Sequence, residues 1–433
     1  MFRRPVANLS LYLYPLAVLW VGIGILYCTV KGTEQILWQA SLFSAALLAF
    51  FLLNQVLGYR GDRFLLPTTA CLVVIGLVII TRIDPELARK QFLWATVGLG
   101  ISAACVWGIR DYRRLGRYQY IWALLAIIML AVTLFFGVTS GGATSWLELG
   151  GFRLEPEEMV KVAMIIFLAN YLRNNRELLA IGTIQIGRFS VPEPRVLGPL
   201  AMMVGVALLL LAAQKSLGTA LVFYGVALFM VYVATQKGTY LLLGIPVFLA
   251  TAWLGFKIFH HVQTRVEIWL NPWSSVYAQG SQIAQSLFAI GNGGLWGMGL
   301  GQGFGAVKVP AAQTDFIFAV IAEELGFVGA LAVILLFVVV IYRCFVIALK
   351  ANDEFGTILA AGLGFLFAFE ALIILAGVTK LLPLTGIPLP WVSYGGSSML
   401  VHMFMLGCLS NISHVSERHS APLQVKLVKG IAG

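Results

Sequence analysis

TDFIFAVIAEELGFVGALAVILLFVVVIY, Thr314–Tyr342, is an apolar run entered through one carboxylate, Asp315, and marked further along only by Glu323 and Glu324. From Phe316 it exceeds the ~20 residues that carry an α-helix across a hydrocarbon core of ~30 Å. Runs of this kind recur through the 433 residues, of which 60% are hydrophobic and only 11% charged. They are continuous and rich in Leu, Ala, Val and Ile, whereas a membrane β-barrel needs short alternating segments. The fold class is therefore all-α, a polytopic membrane protein. In so apolar a chain an acid at a membrane edge is a functional candidate. The competing reading of Asp315 is a helix cap, its carboxylate accepting from first-turn N–H groups, and the two roles are compatible.

Segmentation places helices near 11–30, 36–58, 64–81, 92–109, 119–137 and 158–172, then near 197–214, 217–235, 239–257, 316–342, 357–379 and 393–412, with ends loose by a few residues. That makes twelve crossings. With the N-terminus inside, Lys and Arg concentrate on the cytoplasmic loops, among them Arg3, Arg4, Arg60, Arg63, Arg113, Arg114, Arg117, Arg173, Arg176, Arg343 and Lys350. The outer loops take fewer: Lys31, Arg82, Arg89, Lys90, Arg153, Lys215, Lys257, Arg265 and Lys308. This bias predicts both termini in the cytoplasm. It also accounts for most of the net charge of +10, and scattered bases of this kind form no nucleic-acid patch. The basic Met1–Arg4 is followed by a run long enough to span, without a small-residue cleavage site, so the first segment is read as a retained helix.

The connection 258–315 then lies outside. Loops of this length are functional or disordered, and Trp269, Trp273, Tyr277, Phe288, Trp296 and Phe304 offer anchors for a folded extracytoplasmic cap. Within it, AIGNGGLWGMGLGQGFG (Ala289–Gly305) is read as a loop whose exposed N–H groups approach an anion, or as a flexible connector. No GK[ST] follows, which excludes a P-loop. Glu158 and Lys161, three apart at the start of a helix, can pair on one face, as a structural ion pair or as part of a site. The five cysteines lack CxxC spacing and read as packing residues. The histidines, His260 and His261 included, lack metal-ligand spacing. No Ser-His-Asp order or GxSxG elbow supports nucleophilic hydrolysis.

Five ordered blocks, running from about residue 64 to 415, resemble the SEDS proteins (shape, elongation, division and sporulation), the RodA/FtsW/SpoVE family. They are TDFIFAVIAEELGFVG, the preceding GNGGLWGMG, PLTGIPLPWVSYGGSS (Pro383–Ser398), AAQKSLGTALV, which is similar to a Q-x-D-L-G-T-A block, and GGATSWLELGGFRLEPEEMVKVAMIIFLANYL, which is similar to a block with a Q-P-S-E-x-x-K core. The chain departs from the pattern at several places. Glu155 and Glu157 stand for its Gln and Ser, Ser145 for an Arg before the Trp, Ser216 for the Asp, Ala311 for a Glu and Ile374 for an Asn.

The resemblance implies a peptidoglycan glycosyltransferase that polymerises lipid II at the outer face of a bacterial cytoplasmic membrane. Asp315 matches the family's essential acid, and Glu158 and Lys161 match its Glu and Lys. Gln214, Thr219, Ser393, Tyr394 and Ser397 fall in the matching blocks as substrate-binding or supporting residues. The implied organisation is a ten-helix catalytic domain, 64–415, that contains the loop 258–315. Two additional helices in 1–63 precede it, and a cytoplasmic tail, 416–433, follows. A class B penicillin-binding protein, a transpeptidase, is the implied partner.

Joining a sugar hydroxyl to an anomeric carbon that bears a lipid diphosphate requires a base, which Asp315 can be, and positive charge at the pyrophosphate. Lys308, Arg265 and Arg153 are outer cations for that role, with a divalent ion such as Mg or Mn, or interfacial lipid contact, as alternatives. A flippase would place ionisable residues near the midplane, and Glu323 and Glu324 keep that class open. A different lipid-linked glycan polymerase is the other rival.

Overall fold

The computed structural model describes residues 9–109, 111–140, 143–149, 152–181, 184–186, 189–191, 194–275 and 280–431. Arg3, Arg4 and Tyr277 lie outside the described residues. In chain order the elements are α1 (Leu9–Thr29), α2 (Leu37–Val56), α3 (Leu65–Ile83), α4 (Pro85–Gly108), α5 (Arg113–Arg117), α6 (Gln119–Phe136), β1 (Val138–Ser140), β2 (Ala143–Leu149), β3 (Phe152–Leu154) and α7 (Pro156–Ile181). There follow β4 (Ile184–Ile186), β5 (Phe189–Val191), α8 (Pro194–Ala213), α9 (Leu217–Thr235), α10 (Thr239–Ile258), α11 (His260–Leu270), α12 (Ser281–Gly293), α13 (Gly305–Lys308), α14 (Ile317–Lys350), α15 (Glu354–Val378) and α16 (Gly396–Ile431). Among the described residues, 11 helices are long and apolar enough to cross a membrane. The expected span 158–172 falls in α7, whose 26 residues suffice in length. Its acids and bases leave it outside that apolar group.

The chain forms two compact units. One comprises Met1–Asp111, Glu267–Lys350 and Glu370–Gly433. Its centre is α3, with Leu72, Val73, Leu77 and Ile80 fully buried, packed against α1, α4 and α14, while α16 lies along α4. Asp62 starts α3 by accepting the Phe64 and Leu65 N–H groups, each at 2.9 Å, and its other oxygen pairs with Arg343 of α14. Asp84 caps α4 by accepting the Glu86 N–H at 2.8 Å, with Pro85 behind it in the first turn. A side-chain acceptor and a proline whose missing N–H is not needed together define that start.

α14 is not one helix. Gly326 breaks it with φ 68° and ψ −170°, a conformation essentially confined to glycine. The glycine-rich segment docks into the break. Met298 and Gly299 N–H donate to the Glu323 and Glu324 carbonyls at 2.9 and 3.0 Å, and Phe327 N–H donates to Gly294 O at 2.9 Å. Within the first unit the described residues 280–315 are thus packed on α14. Trp269 donates to the Lys380 carbonyl at 3.1 Å, and the Trp273 and Phe288 rings lie 5.7 Å apart. Trp273, Phe288, Trp296 and Phe304, all expected as anchors, are exposed. The glycines bring backbone rather than side chains onto the broken helix, so the large side chains between them turn outward.

The other unit comprises Tyr112–Val266 and Ala351–Phe369. α7 is its centre, buried without interruption from Val160 to Leu172 and packed on α6, α8 and α9. The antiparallel meander β1-β2-β3 precedes α7, and β4 and β5 form a separate hairpin after it. α10 packs on α9 and buries none of its residues. An all-round apolar helix in that position is one for lipid to cover.

Candidate active site

In the first unit Asp315 sits in the turn just before α14, half-buried between the half-exposed Thr314 and the fully buried Phe316. The segment before α16 holds this turn from the other side. Ser393 Oγ donates to the Thr314 carbonyl at 2.5 Å, and the Tyr394 N–H donates to the Gln313 carbonyl at 2.8 Å. Ser393 is itself fixed, accepting the Leu389 N–H at 2.9 Å, while Gln91 donates to its carbonyl at 3.3 Å. The two residues that flank Asp315 on its N-terminal side are therefore pinned, so the carboxylate stands on rigid backbone. Burial, with a smaller contribution from the Asp84 carboxylate, pushes the Tyr394 phenol above its ordinary value, and it stays a protonated donor. Ser397 is buried in the first turn of α16. Lys308 is exposed at the end of α13, its Nζ 5.1 Å from the centre of the Phe304 ring.

Part of the glycine-rich loop's backbone is engaged by the helix break. Gly301 N–H donates to Glu324 Oε2 at 3.0 Å and Gly305 N–H to Glu323 Oε2 at 2.5 Å. Gly297, Met298 and Gly299 donate to carbonyls. Arg82 completes the arrangement, pairing with Glu324 at 2.9 Å and donating to the Gly303 carbonyl at 2.9 Å. Glu323 and Glu324, the acids that kept a transporter in view, are thus engaged in holding this loop to the helix break.

In the second unit Glu158 and Lys161 pair at 2.8 Å, both almost wholly buried. Beside them Glu157, 2% exposed, accepts a hydrogen bond from Ser216 Oγ at 2.7 Å, and Ser216 lies 3.0 Å from Thr219 Oγ1. The hydroxyls of Thr219 and Ser145 also bear on the Glu157 carboxylate. Gln214 is fully buried, its amide donating to the Leu130 carbonyl at 2.6 Å and its backbone carbonyl accepting from Thr144 N–H at 3.0 Å. It ties α6 and β2 to the approach of α9. Arg265 is half-buried on α11. Arg153 is paired with Glu148 at 2.9 Å across β2 and β3, so part of its charge is already met.

The family described as cell cycle protein, FTSW_RODA_SPOVE, matches residues 62–418. The chain belongs to this family. Among curated members it is 36% identical over 428 residues to the peptidoglycan glycosyltransferase RodA of Mycobacterium tuberculosis, covering 95% of this chain and 91% of the relative. It is 34% identical over 370 residues to stage V sporulation protein E of Bacillus subtilis, covering 82% and 97%. Among solved structures it resembles a chain of a peptidoglycan synthase complex with TM-score 0.68 and 24% identity, covering 82% of this chain and 98% of that one. The crystal structure of RodA from Thermus thermophilus gives TM-score 0.56 and 25% identity, covering 83% and 97%.

Two features of this FTSW_RODA_SPOVE member were not singled out from sequence. Glu157 was noted only as a departure from the block, although Ser216, a second departure, is its hydrogen-bond partner. Glu370 and His402 pair at 3.0 Å inside the first unit, with His402 Nδ1 2.7 Å from the Ser398 carbonyl. Nothing in the spacing of those two residues signals that contact.

Proposed function

We propose that this chain is a peptidoglycan glycosyltransferase that polymerises lipid II at the outer face of the cytoplasmic membrane, with Asp315 as the general base. The observation that carries the reading is the match to RodA relatives over nearly the full length of both chains. The rigid turn beneath Asp315 supports the residue's role. Asp315 takes the proton of the acceptor sugar hydroxyl as its oxygen bonds to the anomeric carbon of the donor. The bond from that carbon to the lipid diphosphate breaks, and the diphosphate leaves with the electron pair. Lys308 supplies positive charge for the leaving group. In the second unit Glu158 and Lys161 hold the start of α7 as a buried pair. Gln214 and Thr219 hold the approach to α9, and Ser393, Tyr394 and Ser397 hold the turn and the helix start beside it.

The loop charges favour cytoplasmic termini and an extracytoplasmic site. Because the solved relative belongs to a complex in which polymerization and crosslinking are coordinated, the partner we infer is a class B penicillin-binding protein. The deciding experiment compares polymerisation of purified lipid II with translocation of a labelled lipid in sealed vesicles. Glycan strands without translocation are expected. Translocation without strands would restore the flippase reading.

A further inference from the structure

Ser145, Glu157 and Ser216 are three positions at which the chain departs from the family pattern, and they come from three different elements: β2, the first turn of α7 and the residue before α9. The fold brings them together. Resting on the function proposed above, we infer that Glu157 supplies from α7 the carboxylate that the pattern carries at position 216, and acts as a positioning residue for glycosyl transfer.

The geometry favours exchange of the acid over independent drift. With Ser216 Oγ 2.7 Å from Glu157 Oε2, a carboxylate at either position occupies the same small volume. Carboxylates at both would force two buried like charges together, which strongly disfavours ionising both. The chain has one acid there and hydroxyls at the other two positions. Glu157 is also placed to accept hydrogen bonds. It lies in the first turn of α7, where the helix dipole favours negative charge, and Ser216 donates to it directly.

The carboxylate is not absorbed into the neighbouring ion pair, since Lys161 is matched by Glu158 at 2.8 Å. Its Oε1, buried, makes no close hydrogen bond among the described residues. An acceptor of that kind can orient the Ser216 and Thr219 hydroxyls at the start of α9. In that role, loss of the carboxylate would lower turnover more than stability.

The test uses purified full-length protein in lipid vesicles, with kcat and KM for lipid II polymerisation and Tm read for each variant. Glu157→Ser and Ser216→Asp alone are each expected to lower kcat about tenfold or more, the scale of one charged hydrogen bond. The exchange variant, Glu157→Ser with Ser216→Asp, is expected to recover kcat to within about threefold of wild type. Glu157→Gln, equal in size, should keep the wild-type Tm and lose kcat with little change in KM. An exchange variant no faster than the slower single variant overturns the inference, as does wild-type kcat in Glu157→Gln. Where a single variant does not fold, recovery of folding and turnover in the exchange supports the inference, and no recovery overturns it. A folded wild type that polymerises nothing refutes the proposed function itself. The Tm series then still reads the exchange: a lowered Tm in each single variant restored by the pair supports the relocated acid, and no restoration overturns it.

Discussion

Asp315 combines a half-exposed carboxylate with backbone fixed on its N-terminal side by Ser393 and Tyr394. A base held this way contributes about 10²–10⁴-fold to turnover. Asp315→Asn keeps the size of the side chain and its capacity to accept from helix N–H groups. It is expected to lower lipid II polymerisation by about 10²-fold or more with Tm unchanged. Retention of more than about a tenth of the activity would remove Asp315 from the mechanism. Glu158 and Lys161 invite a different measurement, because each is buried against the other. Removing one partner strands the second charge at a cost of about 3–5 kcal/mol, and removing both does not. Glu158→Ala and Lys161→Ala should therefore each lower Tm or activity, and the double variant should be milder than their sum. Strict additivity would show that the pair carries no coupling in solution. At this scale the sequence was informative where partners are local: the i, i+3 spacing of Glu158 and Lys161 was enough to predict their contact. It was silent where partners are distant, as with Glu157 and Ser216 or Glu370 and His402, because those contacts depend on which helix faces meet.

Among the elements, the broken helix α14 and the loop docked in its break form the arrangement most sensitive to one atom. A Cβ at Gly326 would lie 2.2 Å from Gly297 N and 2.6 Å from the Leu295 carbonyl, with φ at 68°. Gly326→Ala is expected to cost about 3 kcal/mol or more, combining the strain of a glycine-only conformation with backbone overlap. Limited proteolysis between Gly293 and Gly305 should report release of the loop along with a lowered Tm. A variant as protease-resistant and as stable as wild type would mean that the break does not depend on glycine. The apolar pattern of 316–342 read as a continuous helix, and hydrophobic period alone cannot show a break that keeps both halves apolar. The glycines of 289–305 were read as approaching an anionic ligand or as a flexible connector. What they approach proved to be the Glu323 and Glu324 carbonyls and carboxylates, a partner that sequence spacing does not specify.

For the molecule as a whole, the helices α1 and α2, which precede the family match at residue 62, make the sharpest test of organisation. They bury Leu19, Ile23 and Leu26 of α1 and Phe43, Leu47 and Phe50 of α2. α1 also reaches the glycine loop, where a Cβ at Gly301 would lie 2.5 Å from the Thr29 hydroxyl. In a bilayer, lipid tails can cover the faces these helices leave, so the lost packing is only partly a lost driving force. A chain starting near Arg60 keeps Arg60 and Arg63 as the inner flank and preserves the orientation of each later helix. It is expected to polymerise lipid II at a measurable rate with a lowered Tm. A folded, correctly oriented but inactive truncation would place α1 and α2 inside the catalytic unit. The apolar runs and the ordered motif blocks were enough, from sequence alone, to specify a multi-pass helical membrane protein and its family, because those signals are written in local composition and spacing. Only the tertiary structure decided that Glu323 and Glu324 grip a loop, that Ser393 and Tyr394 brace the turn carrying Asp315, and that Glu157 meets Ser216. Each of those contacts joins segments far apart in the chain, and its geometry exists only once the helices have packed.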